Sequence, residues 1–201
     1  IDEKTFKDKV FTAFDFNDEE EFKTTKSYVK SLQDNKQKIM KVTQIDGDTY
    51  NDIAKIAFGI YGTESNFGDT HSAIGNFGRA VNKYFDQKSS SSPDVKSKAT
   101  TYGADNNNNS VGYTQIRWSQ LNERELKVLK ELNINSNKDF LQADKAATAT
   151  AAILAIRYQE QLTSDQKKDI EKYLPTRWNN RSNYSLRVKN NSQYLKIKEL
   201  N

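Results

Sequence analysis

The chain has 201 residues, 31 Lys and Arg against 27 Asp and Glu, a formal charge of +4 and a mean hydropathy of −0.91. Leu, Ile, Val and Phe total 43 residues, enough for an economical core in one domain or one domain with a small appendage. With no Cys and a single His71, disulfide frameworks, thiolate metal sites, Cys nucleophiles and His-rich metal centres are excluded, and no apolar run is long enough to span a membrane.

The chain opens on Ile1 and no signal-type apolar region follows it, so it is expected to be a processed form or an excised piece whose targeting information is missing. Residues 1–45 are dense in charge and read as helical. Asn17 or Asp18 is the expected cap, acidic residues crowd the first turn, and Phe22, Val29, Leu32 and Ile39 recur at roughly helical spacing. Such a stretch predicts a solvated surface helix, an N-terminal helical segment accessory to the rest. Asp46-Gly47-Asp48 predicts a turn, and Thr49-Tyr50-Asn51-Asp52 reads as a capping box. The helix it opens carries Ile53, Ile56, Ala57, Ile60 and Tyr61, the strongest helical periodicity in the chain, with Gly68 as its stop.

Residues 69–109 change character, with Ser89–Ser92, Pro93 and a run of Asn. They predict one short helix over 74–85 inside a long loop or flap. Beyond Ser110, helices are predicted over 119–132, over 146–161 and from a Ser164 cap to Pro175, and a basic, aromatic tail follows. The stretch 146–161 is Ala-rich and then apolar, which suits a central buried helix. There is little strand signal, so the expected fold is mainly α.

Glu64 is the residue that points to chemistry. The apolar stripe of the helix beginning near residue 49, continued four residues beyond Ile60, lands on it. A carboxyl on an apolar face is partly desolvated, which disfavours its charged form and keeps a proton available near neutral pH. A general acid needs that property, and the leaving oxygen of a glycoside needs such a proton.

Glu64-Ser65-Asn66-Phe67 resembles the Glu-Ser-x-Phe signature of soluble lytic transglycosylases and goose-type lysozymes, and Ser110-Val111-Gly112-Tyr113-Thr114-Gln115-Ile116 resembles the Ser-x-Gly-x-x-Gln-Ile signature that follows it. Trp178-Asn179 stands where that family commonly has Tyr-Asn, with Tyr184 and Val188 after it. The resemblance covers roughly residues 49–190. It implies a lysozyme-like domain over 46–201, an N-terminal helical extension over 1–45 and a long loop-rich insertion over 69–109. It also implies that Glu64 is the catalytic acid and base, and that the glycan is held by Ser65, Ser110, Tyr113, Gln115, Ile116, Trp178, Asn179 and Tyr184. The substrate class that the resemblance implies is peptidoglycan, cleaved at the β-1,4 bond between N-acetylmuramic acid and N-acetylglucosamine, with no cofactor and no metal expected. Candidates for an additional carboxylate, as goose-type relatives use to orient water, are Asp69, Asp86 and Asp105.

The chain departs from the family pattern in three places. About forty residues separate Phe67 from Ser110, a longer spacing than usual. The Gly that commonly follows the aromatic-Asn pair is replaced by Asn180 and Arg181, and Trp178 in place of Tyr removes a hydroxyl that would reach the acid. Asp105-Asn107-Asn109 mimics the start of a calcium loop, but Ser110 and Ile116 stand where Gly and Glu are required, so no calcium site is expected. No basic stripe interleaves with aromatics, which argues against nucleic acid as a partner. The expected setting is extracytoplasmic or a phage particle, alone or in a secretion, conjugation or phage assembly; the rival is a non-catalytic wall-binding module of the same fold.

Overall fold

The computed structural model describes residues 18–65, 107–108 and 110–200. Gly68, the short helix predicted over 74–85 and nearly all of the insertion, including Asp69, Asp86 and Asp105, lie outside the described residues. The described part is mainly helical with one small hairpin.

Two helices cover the N-terminal segment, α1 (Asp18–Asp34) and α2 (Lys36–Thr43), where the sequence reads as one continuous stretch. The break falls at Asn35, whose side-chain amide donates back to the Ser31 carbonyl at 3.1 Å; α2 then ends at Gln44, in the left-handed region with φ 58°. α1 is not a merely solvated helix. Phe22, Thr25, Tyr28, Ser31 and Leu32 are buried, and the helix packs along the Ala-rich helix of the C-terminal half. Ser31 Oγ donates to the Asp144 carbonyl at 2.6 Å and meets Thr148 Oγ1 at 2.9 Å. Small hydroxylated side chains at that seam satisfy their own polarity without holding the helices apart, which a composition-based reading of the charged face does not reveal.

α3 (Gly47–Ser65) starts earlier than the predicted capping box. Asp46 is the cap: its carboxylate accepts from the Thr49 amide at 2.8 Å and the Thr49 hydroxyl at 3.1 Å, so the expected turn is the first turn of the helix. These bonds hold the Asp46 carboxyl below its usual range. From Ile53 to Thr63 nearly every α3 residue is buried. The described chain resumes in a hairpin of β1 (Ser110–Val111) and β2 (Ile116–Arg117), antiparallel, with Val111 opposite Ile116.

α4 (Glu123–Glu131) follows a separate 3₁₀ turn, later than the predicted start at 119, because Asn122 caps it. The Asn122 side chain accepts from the Glu125 amide at 2.8 Å while Glu125 Oε2 accepts from the Asn122 amide at 2.9 Å. α5 (Ala143–Gln161) is buried without interruption from Ala146 to Ile156, and α1, α2, α3 and α4 all pack on it. A helix surrounded on all sides has no polar stripe, and its Ala residues let its neighbours come close. The predicted central helix is therefore where the sequence puts it, and α3 is a second buried rod beside it.

Thr163, one residue before the predicted Ser164, caps α6 (Ser164–Lys167) in a box with Gln166. α7 (Ile170–Tyr173) follows, and Pro175 opens a 3₁₀ turn instead of only ending a helix. α8 (Tyr184–Ser192) crosses α3 at close range. Gly59 makes the crossing: a Cβ there would lie 2.3 Å from the Val188 carbonyl oxygen and 2.8 Å from Val188 Cγ1. Gly→Ala in a helix ordinarily stabilises by up to about 1 kcal/mol. At Gly59 the sign reverses, because the obstructing atoms include backbone and overpacking costs about 1–3 kcal/mol. We expect Gly59→Ala to lower Tm by several degrees in calorimetry; a raised Tm would mean that α8 sits farther from α3 than the structure has it.

Candidate active site

Glu64 lies one residue from the end of α3, partly exposed, where the helix emerges from the core. Tyr184, the first residue of α8, is buried, and its hydroxyl donates to Glu64 Oε1 at 2.8 Å across 120 residues of sequence. The Asn179 side chain also hydrogen-bonds the Glu64 carboxyl. Burial pushes the Glu64 carboxyl above its ordinary value, and the bonds from Tyr184 and Asn179, then the guanidiniums of Arg181 and Arg187, pull the other way without cancelling it. Burial and the neighbouring Glu64 push the Tyr184 hydroxyl far up, so it stays protonated and remains a donor.

The second motif arrives from the hairpin. Gly112 has φ 78°, and a Cβ there would lie 2.0 Å from the Phe140 carbonyl oxygen, so the tight loop requires glycine. Gln115 has φ 56° and folds back, its Nε2 donating to the Gly112 carbonyl at 2.8 Å. Between them, Thr114 Oγ1 meets Thr150 Oγ1 of α5 at 2.8 Å, and the Thr114 carbonyl accepts from the Trp178 indole at 2.9 Å. The Tyr113 ring stands edge-on to Tyr61 at 6.0 Å, and Tyr61 in turn stacks on Tyr28 at 4.2 Å.

The structure thus gathers Tyr113, Trp178, Asn179 and Tyr184 around the C-terminal end of α3, with Gln115 in the same hairpin loop. Of the other residues that the resemblance assigns to the glycan, Ser65 and Ile116 are buried and Ser110 is half-buried. Ser65 is buried and its hydroxyl donates to the Tyr61 carbonyl at 2.8 Å, as helix-terminal Ser side chains do. Ile116 is in the hydrophobic core, and Ser110 is a half-buried edge of the hairpin paired with Arg117. Tyr184 is equally buried, so its placement is that of a partner to Glu64. It also supplies the hydroxyl that Trp178 lacks.

Two residues behind the site carry no motif. Arg157, near the end of α5, pairs Nε with Glu125 Oε1 at 2.7 Å, donates from Nη1 to the Arg177 carbonyl at 2.7 Å, and lies 5.3 Å from the centre of the Trp178 ring. The buried Glu125 is also the cap partner of Asn122, so one carboxylate ties α4 to the segment that delivers Trp178 and Asn179. The Asn122/Glu125 spacing is legible as a capping box; that Glu125 also takes a guanidinium from α5 is not. Among the described residues no cluster of three or more His, Asp or Glu side chains is arranged to hold a metal ion.

Tyr184→Phe removes a donor that favours the carboxylate form. We expect the alkaline limb of any Glu64-dependent activity, where the proton donor is lost, to move to higher pH, with a loss of about tenfold or more, since a hydrogen bond to a charged group is worth about 1.5–3 kcal/mol. An unshifted pH profile would separate Tyr184 from the working carboxyl. The chain matches no family model, no curated protein and no solved structure.

Proposed function

We propose that this protein is a peptidoglycan-cleaving muramidase that works by the lytic transglycosylase route, with Glu64 as its single acid and base. One observation carries the reading: a carboxyl near the end of a buried helix, its pKa raised by burial, and bonded by Tyr184 and Asn179 from a segment far away in sequence. Motif resemblance at residues 64–67 and 110–116 supports it independently of that geometry.

In this mechanism protonated Glu64 gives its proton to the bridging oxygen as the anomeric C1–O bond breaks toward an oxocarbenium-like state. The resulting carboxylate then takes the proton of the muramic C6 hydroxyl as that oxygen bonds to its own C1. Glu64 ends protonated, no water is consumed, and the product carries a 1,6-anhydro end. Trp178 and Tyr113 offer aromatic faces for sugar CH groups, and Gln115 and Asn179 offer amides for hydroxyl and acetamide groups. Such a substrate places the protein outside the cytoplasm or on a phage particle.

Mass spectrometry of the fragments released from purified peptidoglycan tests the proposal. Anhydro ends are the expected result. Reducing ends would replace the one-carboxylate route with hydrolysis and direct attention to Asp69, Asp86 and Asp105; intact glycan with retained wall binding would leave a binding module of the same architecture.

A further inference from the structure

Two guanidiniums, those of Arg181 and Arg187, lie within electrostatic range of Glu64, and the mechanism uses neither of them. Arg181 is fixed at its backbone, where its amide donates to Asn179 Oδ1 at 3.1 Å, and Asn179 is itself bonded to Glu64. Arg187 lies one turn along α8 from Tyr184, and its Nη2 donates to the carbonyl of Thr63, the residue before Glu64, at 3.4 Å. Both side chains are exposed, and among the described residues neither is paired with a carboxylate. Two nearby lysines contrast with them: Lys189 of α8 reaches Glu171 at 3.2 Å, and Lys55 of α3 reaches the same Glu171 at 3.8 Å.

Placing two cations beside a group that has to keep its proton works against that group, because they favour its carboxylate form. Their position therefore calls for a use other than tuning the acid. Arg presents planar donors that fit a carboxylate two at a time, and among the described residues these two side chains together make a single hydrogen bond. Muramic acid, alone among the two sugars of the proposed substrate, carries a carboxylate-bearing substituent on its ring, either as the bare lactyl group or through the acidic residues of an attached peptide.

Building on the muramidase reading, we propose that Arg181 and Arg187 form an anion subsite beside Glu64 that takes a carboxylate of the muramoyl substituent. The subsite sets which sugar sits on the Glu64 side of the bond: an N-acetylglucosamine unit brings no charge to it, whereas a muramoyl unit does. A seated carboxylate also neutralises the guanidiniums, so the bound substrate removes the influence that opposes protonation of Glu64.

The test is a calorimetric titration of Glu64→Gln protein, which holds ligand without turning it over, against Glu64→Gln protein also carrying R181Q and R187Q. Four probes are used: an oligosaccharide with free lactyl carboxylates, the same oligosaccharide with an acidic peptide, its amidated neutral form, and an uncharged N-acetylglucosamine oligomer. The arginine-free protein is expected to bind the carboxylate-bearing probes about tenfold or more weakly and the neutral probes equally well. A loss confined to the bare lactyl sugar assigns the subsite to that group; a loss confined to the peptide form assigns it to the peptide. R181K/R187K, which keeps charge but not the planar fork, is expected to fall between. The same affinity with and without the arginines, or an equal loss for neutral probes, overturns the subsite while leaving the muramidase reading in place. Binding of none of the four by Glu64→Gln protein overturns both.

Discussion

Glu64→Gln is expected to reduce glycan cleavage by about 10²–10⁴-fold, the usual contribution of a positioned general acid and base. Gln keeps an oxygen for the Tyr184 hydroxyl, so that contact persists and a loss of cleavage in a folded variant reports chemistry. A zymogram and a soluble-fragment assay read it directly; equal clearing by both proteins would take Glu64 out of the mechanism. The same substitution makes a second prediction of opposite direction. Burial raises the folded-state pKa of Glu64 above its ordinary 4.5, so the folded protein holds that proton more tightly than the unfolded chain does. The charged form then detracts from stability: wild type loses stability as pH rises from about 4.5 through the folded-state value. Gln carries no such charge. Its Tm is expected to exceed that of wild type at neutral pH, and the difference is expected to shrink below about pH 4.5, where Glu64 is protonated in both states. A gain of equal size at acid and neutral pH would falsify the desolvation account.

Arg157→Met is expected to cost about 3–5 kcal/mol, the range for removing one partner of a buried ion pair. Met preserves much of the aliphatic volume, so the loss measures the stranded Glu125 carboxylate, whose side chain is only 2% exposed. In a chain of this size that corresponds to a fall in Tm of about ten degrees. Arg157 also holds the Arg177 carbonyl and faces the Trp178 ring, so activity is expected to fall together with stability. Adding Glu125→Gln to Arg157→Met removes the buried charge but keeps an acceptor for the Asn122 amide, and is expected to restore much of the lost Tm. A cost near that of a surface pair, below about 1 kcal/mol, would mean that water reaches the pair.

The buried helix α3 was readable because its periodicity is local. The apolar stripe of α3 fixes the face on which Glu64 falls, and Gly112 meets the backbone demands of its own turn. The Ala-rich run of α5 announced a surrounded helix because small side chains serve close packing on every side. Local chemistry also explains the displaced caps. Asp46 and Thr163 stand beside other good caps, and which of two neighbouring oxygens takes the free amides depends on backbone angles that composition does not encode. The charges of α1 describe only its solvent face, whereas Phe22, Tyr28 and Leu32 become core once neighbouring helices lie against them, with Tyr61 of α3 stacked on Tyr28.

What the sequence by itself determined is therefore the mainly helical character and a buried helix that carries Glu64 in its last turn. Tertiary structure alone decided that the hydroxyl bonding Glu64 comes from Tyr184 and not from position 178, that Ser65 and Ile116 turn inward, and that Arg181 and Arg187 act electrostatically on the acid. Periodicity registers which side of a helix is apolar, because that pattern repeats every turn. A hydrogen bond between residues 120 positions apart leaves no periodic trace, since it depends on how α8 crosses α3 at Gly59 and on the path of the chain between Pro175 and Tyr184.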